Sequence, residues 1–234
     1  MYHLDLTLET AAANVALDEQ LLAAAEAGQL PGETLRLWES PHAAVVLGRS
    51  SPAAEVDLAA CQAAGIPIVR RASGGATVLL GPGCLAYAVV LDRRTRPELA
   101  GVDGAHDLAL GRLAAALAPL VPGIVRAGTS DLALVDSAGT LRKFSGNSLR
   151  VKRTHLLYHG TVLYDFPLEE IARRLTAPVR QPAYRAGRSH GQFLTNLPAS
   201  RAAIEHALRT VWQANAPLPW PRGGPCGQST QERQ

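Results

Sequence analysis

Residues 131–164 read DLALVDSAGTLRKFSGNSLRVKRTHLLYHGTVLY, and this stretch decides the fold class. Strands are expected near 131–135 and 142–150, joined by the turn Asp136-Ser137-Ala138-Gly139, with a third strand, 155–164, in the middle of a sheet. Three strands in direct succession pair as hairpins and leave no room for crossover helices. The chain is therefore read as α+β, with a mixed, mostly antiparallel sheet flanked by helices.

Working outward, Pro167 opens a helix with Glu169 and Glu170 in its first turn and Arg173 and Arg174 in its last, as the helix dipole prefers. Residues 176–197 are rich in loop formers, and 200–213 carries Ile204, Ala207, Leu208, Val211 and Trp212 at helical spacing. Toward the N-terminus, 104–120 is a helix with Leu110, Leu113, Leu117 and Leu120 on one face. A strand with Leu85, Tyr87, Val89 and Leu91 follows the turn Gly81-Pro82-Gly83, and a strand over 66–71 runs into the turn Ala72-Ser73-Gly74-Gly75. Residues 54–64 read as a short helix, 33–38 and 43–48 as strands, and 11–28 as a helix capped by Thr10. No repeat or internal boundary appears, so residues 1–215 are expected to form one domain and 216–234 a flexible tail.

The 234 residues are 47% apolar and 18% charged, enough to bury a core and too apolar for a disordered chain. No apolar run approaches the roughly 20 residues that span a bilayer, and the N-terminus lacks a secretory pattern. Cys61, Cys84 and Cys226 match neither a disulfide nor a zinc spacing. A cytoplasmic protein without membrane or nucleic-acid partners is expected, the net charge being only +3. Of the 23 basic residues only Lys143 and Lys152 are lysines. In an arginine-biased chain, a retained lysine is a candidate for work that needs a compact ammonium.

Three constellations can carry chemistry. In Arg70-Arg71-Ala72-Ser73-Gly74-Gly75-Ala76-Thr77, small residues after a strand let a ligand approach the backbone, and Arg70 or Arg71 can add an anion partner. The competing reading is a plain hairpin turn with exposed arginines. In Lys143-Phe144-Ser145-Gly146-Asn147-Ser148, strand alternation puts Lys143 and Ser145 on one face, with space beside the amine. There it can stabilise charge developing on a phosphoryl or acyl oxygen; otherwise it is an edge-strand lysine in solvent. The third is Tyr158-His159-Gly160-Thr161, whose histidine is either catalytic or a satisfied structural residue. No histidine or cysteine spacing supports a metal site.

Together and in this order, these motifs resemble the lipoate–protein ligase A family, within the biotin/lipoyl ligase and octanoyltransferase superfamily. Asn14-Val15-Ala16-Leu17-Asp18-Glu19 is similar to the family's N-x-A-x-D-E/W helix and Val46-Leu47-Gly48-Arg49 to its I-G-R/K segment. Arg70 to Gly75 is similar to R-R-x-S-G-G, Lys143 to Asn147 to K-x-S-G-x-A, and His159-Gly160-Thr161 to H-G-T. The resemblance spans about residues 10–197. It implies a sheet like that of biotin ligases and class II aminoacyl-tRNA synthetases, and an acyl-adenylate mechanism. Lipoate, or octanoate, would attack the α-phosphorus of ATP, carried with Mg²⁺. A lysine of a lipoyl domain or glycine-cleavage H-like acceptor would then take the acyl group.

Carried over residue by residue, the resemblance implies Lys143 as the catalytic residue. It implies an acyl site of Arg49, Arg70, Ser73, Gly74, Gly75, Thr77, Gly83, Ser145, Gly146, His159, Gly160 and Thr161. Nucleotide contacts would come from Arg70, Ala76, Val78, Asp131 and Lys143, with no protein metal set. Segment 178–192 is the candidate for a loop that orders over the adenylate. Many family ligases carry an accessory C-terminal domain that this chain is not expected to hold; either a separate subunit supplies it, or the enzyme carries out only one half-reaction, such as transfer from preformed lipoyl-AMP. Ala76 stands at the family's third glycine, and Leu80-Gly81 replaces its His-Asp pair. The cysteine of octanoyl transferases is missing from both of its usual places, in 127–132 and 175–181. A transferase built on Cys84, and a non-catalytic homologue, are the alternatives.

Overall fold

A computed structural model describes residues 1–178 and 181–221. Its centre is an eight-stranded sheet made of β1 (Tyr2–Asp5), β2 (Thr34–Glu39), β6 (Cys84–Asp92), β7 (Ile124–Ala127), β8 (Asp131–Val135), β9 (Leu141–Val151), β10 (His155–Leu163) and β11 (Ala216–Pro217). The strand order is β11-β1-β2-β6-β10-β9-β8-β7. β11, β1 and β2 run parallel, and every other pair is antiparallel. A second, three-stranded sheet has the order β4-β3-β5, from β3 (Ala44–Leu47), β4 (Ile68–Arg70) and β5 (Val78–Leu80). The expected hairpin succession β8-β9-β10 is present, and β10 is central.

The helices cover the large sheet on both faces. Leu85, Tyr87, Val89 and Leu91 of β6 pack with Leu110, Leu113 and Leu117 of α3 (Val102–Leu117) and with Ile204 and Leu208 of α6 (Arg201–Val211). On the opposite face, Ala88 and Val90 meet Leu17, Leu21 and Leu22 of α1 (Ala11–Glu26), while Ala86 faces the small sheet. β6 is therefore buried on both faces, as its unbroken apolar run requires. A third cluster, between the sheets, takes in Cys61 of α2 (Leu58–Ala63), Ile171 of α4 (Leu168–Arg174) and Phe193 of α5 (His190–Phe193).

Several expectations are corrected. The helix expected over 54–64 is a 3₁₀ turn, Ala53–Glu55, followed by α2, because the Asp57 carboxylate caps a fresh helix by accepting from the Ala60 amide at 2.8 Å. α3 stops before Pro119, which leaves Leu120 partly exposed rather than on its inner face. The short strands β1, β5, β7 and β11 were not anticipated. Nor does the order end at residue 215: β11 pairs with β1, and Leu218 is buried beside Leu4. The rest of the expected tail, 222–234, lies outside the described residues.

Arg36 of β2 is fully buried, and all five of its N–H groups are occupied. They reach Asp18 Oδ1 at 2.6 Å, Asn14 Oδ1 at 2.6 Å, the Asn14 carbonyl at 2.8 Å and the Leu6 carbonyl twice. Burial lowers the arginine's pKa, and Asp18 opposes that shift. Asn14 also closes the chain entering α1 through Leu8, so one guanidinium ties helix, sheet and N-terminal segment together. Replacing Asp18 with alanine leaves this charge buried without its counter-ion. The expected loss is about 3 kcal/mol of unfolding free energy by urea titration; a loss under about 1 kcal/mol would refute the assignment.

Candidate active site

A cavity of about 720 Å³ opens between the two sheets. Its floor includes one cross-strand row. Trp38 pairs with Ala86, Ala86 with Thr161, Thr161 with Gly146, and Gly146 with Asp131. All five line the cavity. With strands about 4.8 Å apart, the row is about 19 Å long, and it passes from an indole through small side chains to a carboxylate. The small sheet contributes Val46, Val78 and Leu80 to the apolar part of the lining.

Lys143 stands at the polar end. Its Nζ is 2.8 Å from Asp131 Oδ1, and its side chain is one-quarter exposed. The amine lies over Gly146, where an added Cβ would come within 2.6 Å of Nζ. A bulge places it there: Leu132 pairs with Ser145 but Ala133 pairs with Lys143, so Phe144 is the extra residue of β9. Phe144 is buried in the core. The bulge also overturns the expected alternation. Ser145 is buried and off the cavity, and Gly146, Asn147 and Ser148 line it instead.

His159 lines the wall between the two sheets. Its Nε2 is 2.6 Å from Ser73 Oγ, and its Nδ1 is 3.8 Å from Asp18 Oδ2. Ser73 itself is buried behind the wall and also accepts from Arg71 Nε at 3.0 Å. Arg71 donates further to the carbonyls of Val46, Gly74 and Ala76. Burial brings its pKa down to about 10, against the pull of Glu55, so the group stays charged at neutral pH. A continuous polar path thus runs from Arg36 through Asp18, His159 and Ser73 to Arg71. It fixes the turn whose Gly75, Ala76, Thr77 and Val78 face the cavity. Gly160 must stay small, because a Cβ there would overlap Asn147 Oδ1, the acceptor for Tyr87 Oη.

The structure gathers Gly75, Ala76, Thr77, Val78, Asp131, Lys143, Gly146, His159, Gly160 and Thr161 around one cavity. Other expected residues lie elsewhere. Arg70 is on the exposed side of β4, and its Nη1 is engaged by the carbonyls of Gly48, Arg49 and Ser51. Its neighbour Arg71 faces the cavity. Arg49 is exposed; its amide donates to the Ser73 carbonyl and its own carbonyl accepts from Arg70. Ser73 and Gly74 support the wall from behind; the Gly74 carbonyl accepts from Ser148 Oγ. Gly83, at φ +86°, packs against the Asp165 backbone in a separate hollow with Glu39, Tyr164 and Phe166.

Residues the motifs did not single out complete the lining. Glu55 accepts from Thr77 Oγ1 at 2.6 Å, Tyr87 reaches in from β6, and Trp38 closes the row. Asp18 and Asn147 stood inside quoted motifs without an assigned role. From the 178–192 segment, Gln181 and Pro182 line the cavity, and Tyr184 donates to Asp131 Oδ2 at 2.7 Å; residues 179–180 lie outside the described residues. Among the described residues, no group of three or more His, Cys, Asp or Glu side chains is placed to hold a metal ion, and no helix is long and apolar enough to cross a membrane.

The cavity between the two sheets thus runs from an indole through small side chains to a paired lysine and carboxylate. Residues 10–207 match the family model of the lipoyl protein ligase A/B catalytic domain, and the chain belongs to that family. A protein of Aeropyrum pernix that bears the name of a lipoate-protein ligase A is 31% identical over 86% of this chain and 70% of its own length. The octanoyltransferase LipM of Symbiobacterium thermophilum is 29% identical over 74% of this chain and 68% of its own. Two other relatives named for lipoate-protein ligase A are spanned over only 45% and 34% of their lengths.

Among solved structures, the bipartite lipoate protein ligase of Thermoplasma acidophilum, described with its E2 lipoyl domain, matches with a TM-score of 0.76 at 19% identity, over 91% of this chain and 82% of that one. A T. acidophilum protein with bound lipoic acid gives 0.73 at 18%, over 91% and 84%. A lipoate-protein ligase A bound with ATP gives 0.71 at 20%, over 91% and 85%. At these identities the likeness establishes the fold.

Cys84 lies outside the cavity lining. It is 1% exposed, and burial with Glu39 nearby pushes its thiol up to about 12. Iodoacetamide at pH 8 is therefore expected to leave Cys84 unmodified in the folded protein and to alkylate it only in denaturant, as read by peptide mass spectrometry. Rapid labelling of the native protein at Cys84 would show an accessible, activated thiol.

Proposed function

We propose that this protein is an ATP-dependent ligase that joins lipoate or octanoate to a lysine of a lipoyl-domain or glycine-cleavage H-like acceptor. The observation that carries the reading is the graded row Trp38–Ala86–Thr161–Gly146–Asp131 with Lys143 over its polar end. A medium-length acyl chain lies along Ala86 and Thr161 toward Trp38, and its carboxylate reaches the amine. In the first step a carboxylate oxygen attacks the α-phosphorus of ATP and pyrophosphate leaves. In the second the acceptor amine attacks the acyl carbonyl, AMP departs, and the amine loses a proton. Negative charge grows beside the same point in both steps, so one fixed ammonium serves both.

The nucleotide side falls to Asp131, Ala76, Val78 and Lys143. Mg²⁺ would be held mainly by the nucleotide phosphates, whose charge it would screen. The transferase alternative needs an activated cysteine. Cys84 is buried, off the cavity and held in its neutral form, which argues against that role. A non-catalytic homologue would have no use for an ammonium paired at 2.8 Å and opening onto the cavity. An accessory subunit fits the fold shared with a ligase described as bipartite, and a cytoplasmic setting fits the unpaired thiols of Cys61 and Cys84.

Lipoate-dependent exchange of labelled pyrophosphate into ATP tests the first step. Wild type should catalyse it, and Lys143→Ala should lose about 100-fold or more; exchange that is absent from wild type, or unchanged in the variant, would defeat the reading. Acceptor docking is assigned to the arginine-rich surface. Raising ionic strength from about 0.05 M to about 0.5 M should lower kcat/KM for an acidic acceptor and leave pyrophosphate exchange unaffected. Salt-independent acceptor kinetics would remove the electrostatic part of the proposal.

A further inference from the structure

The segment from Gln181 to Thr195 is fastened to the strand that carries Lys143. Arg188 Nη1 donates to the Leu141 carbonyl at 2.9 Å, and Arg142 Nη2 donates to the carbonyls of Gly191 and Leu194 at 2.9 and 2.7 Å. The Thr195 amide donates to the Lys143 carbonyl itself, at 2.9 Å. Among the described residues of the segment, Tyr184 is the one whose side chain hydrogen-bonds to the Lys143–Asp131 pair. Tyr184 Oη donates to Asp131 Oδ2 at 2.7 Å, while Oδ1 of the same carboxylate faces Lys143 Nζ at 2.8 Å.

The Tyr184 phenol is packed by Phe193 and by the backbone at Gly128. Its ring packs 5.1 Å from that of Phe193. It also lies over Gly128, at φ +54°, where a Cβ would come within 3.2 Å of the Tyr184 ring. Burial and the neighbouring Asp131 push the phenol's pKa upward, so it stays protonated and can only donate to the carboxylate. A carboxylate with one free oxygen can turn about χ2 and lose its grip on a flexible lysine. With Oδ2 bonded to a packed phenol, Oδ1 has one direction, and the ammonium is held over Gly146.

We propose that Tyr184 is a positioning residue: by bonding Oδ2 of Asp131 it sets the orientation in which Oδ1 holds the Lys143 ammonium at the acyl end of the cavity. The proposal rests on the reading of Lys143 as catalytic. It gives residues 181–195 a part in orienting the charged end of the site.

The chain's two lysines make the test clean. Tyr184→Phe keeps the ring packing and removes only the hydroxyl. It should lower kcat for pyrophosphate exchange about tenfold, with KM for ATP and for lipoate within about twofold of wild type. Reductive methylation followed by peptide mass spectrometry should modify Lys143 about threefold faster in the variant, since a loosened ion pair frees the amine, with Lys152 unchanged. Tyr184→Phe combined with Asp131→Asn should be no slower than Asp131→Asn alone, because the hydroxyl acts through that carboxylate. Unchanged kcat, unchanged Lys143 labelling, or additive losses in the double variant would each overturn the assignment. Lys143→Ala separates the two levels. If it is inactive while Tyr184→Phe matches wild type, only the tyrosine's role fails. If Lys143→Ala is fully active, the underlying reading fails with it.

Discussion

The buried guanidinium of Arg36 is the constraint on which the rest of the site depends. A charge with no exposure is tolerated only because every N–H has an acceptor and Asp18 supplies the counter-charge. This fixes Asp18, and the other oxygen of that carboxylate faces His159. His159 in turn meets Ser73, which meets Arg71, whose remaining donors hold the carbonyls of the glycine turn. The cavity wall is thus anchored in the core through side chains. The neighbouring 48–55 loop adds further ties, through Arg49, Ser51 and Glu55, and the turn's small residues can lie close to a ligand.

The floor is organised by register. Antiparallel pairing brings residues from β2, β6, β10, β9 and β8 into one line, and because each belongs to a different strand, the gradient from Trp38 to Asp131 is invisible within any single segment. The bulge at Phe144 is what makes the line usable. It sends a phenylalanine into the core, takes Ser145 off the cavity and brings Lys143 over Gly146. A regular strand would have put Lys143 and Ser145 on one face and given the amine a different direction.

This contrast explains how much of the protein was legible in its residues. The hairpin succession from Asp131 to Leu163 was readable because its signals are local: turn residues and alternation. Lys143 stood out because the chain is almost free of lysine, and the motif order pointed to Gly75 through Val78 and to His159 through Thr161. What was not readable depends on contacts between distant segments. β1, β5, β7 and β11 are too short to have a pattern of their own and exist because a neighbour accepts their hydrogen bonds. Arg70 and Arg71 differ by one position, which at the end of a strand means opposite sides; the motif pointed to Arg70, and the structure puts Arg71 at the cavity instead. Glu55 and Tyr87 come to the cavity from segments with no chemical signature, and only the packing identifies them, as it identifies Tyr184 within the 178–192 segment as the partner of Asp131.

The central claim is that the cavity activates a free acyl acid with ATP and hands it to a protein lysine. The intact mass of a purified lipoyl domain, after incubation with this protein, tests it most directly. The account predicts a single lipoyl addition with lipoate and Mg²⁺-ATP, no addition when ATP is omitted, and addition without ATP when preformed lipoyl-AMP is supplied. Acyl addition from an octanoyl-carrier protein without ATP, together with no addition from lipoyl-AMP, would contradict it.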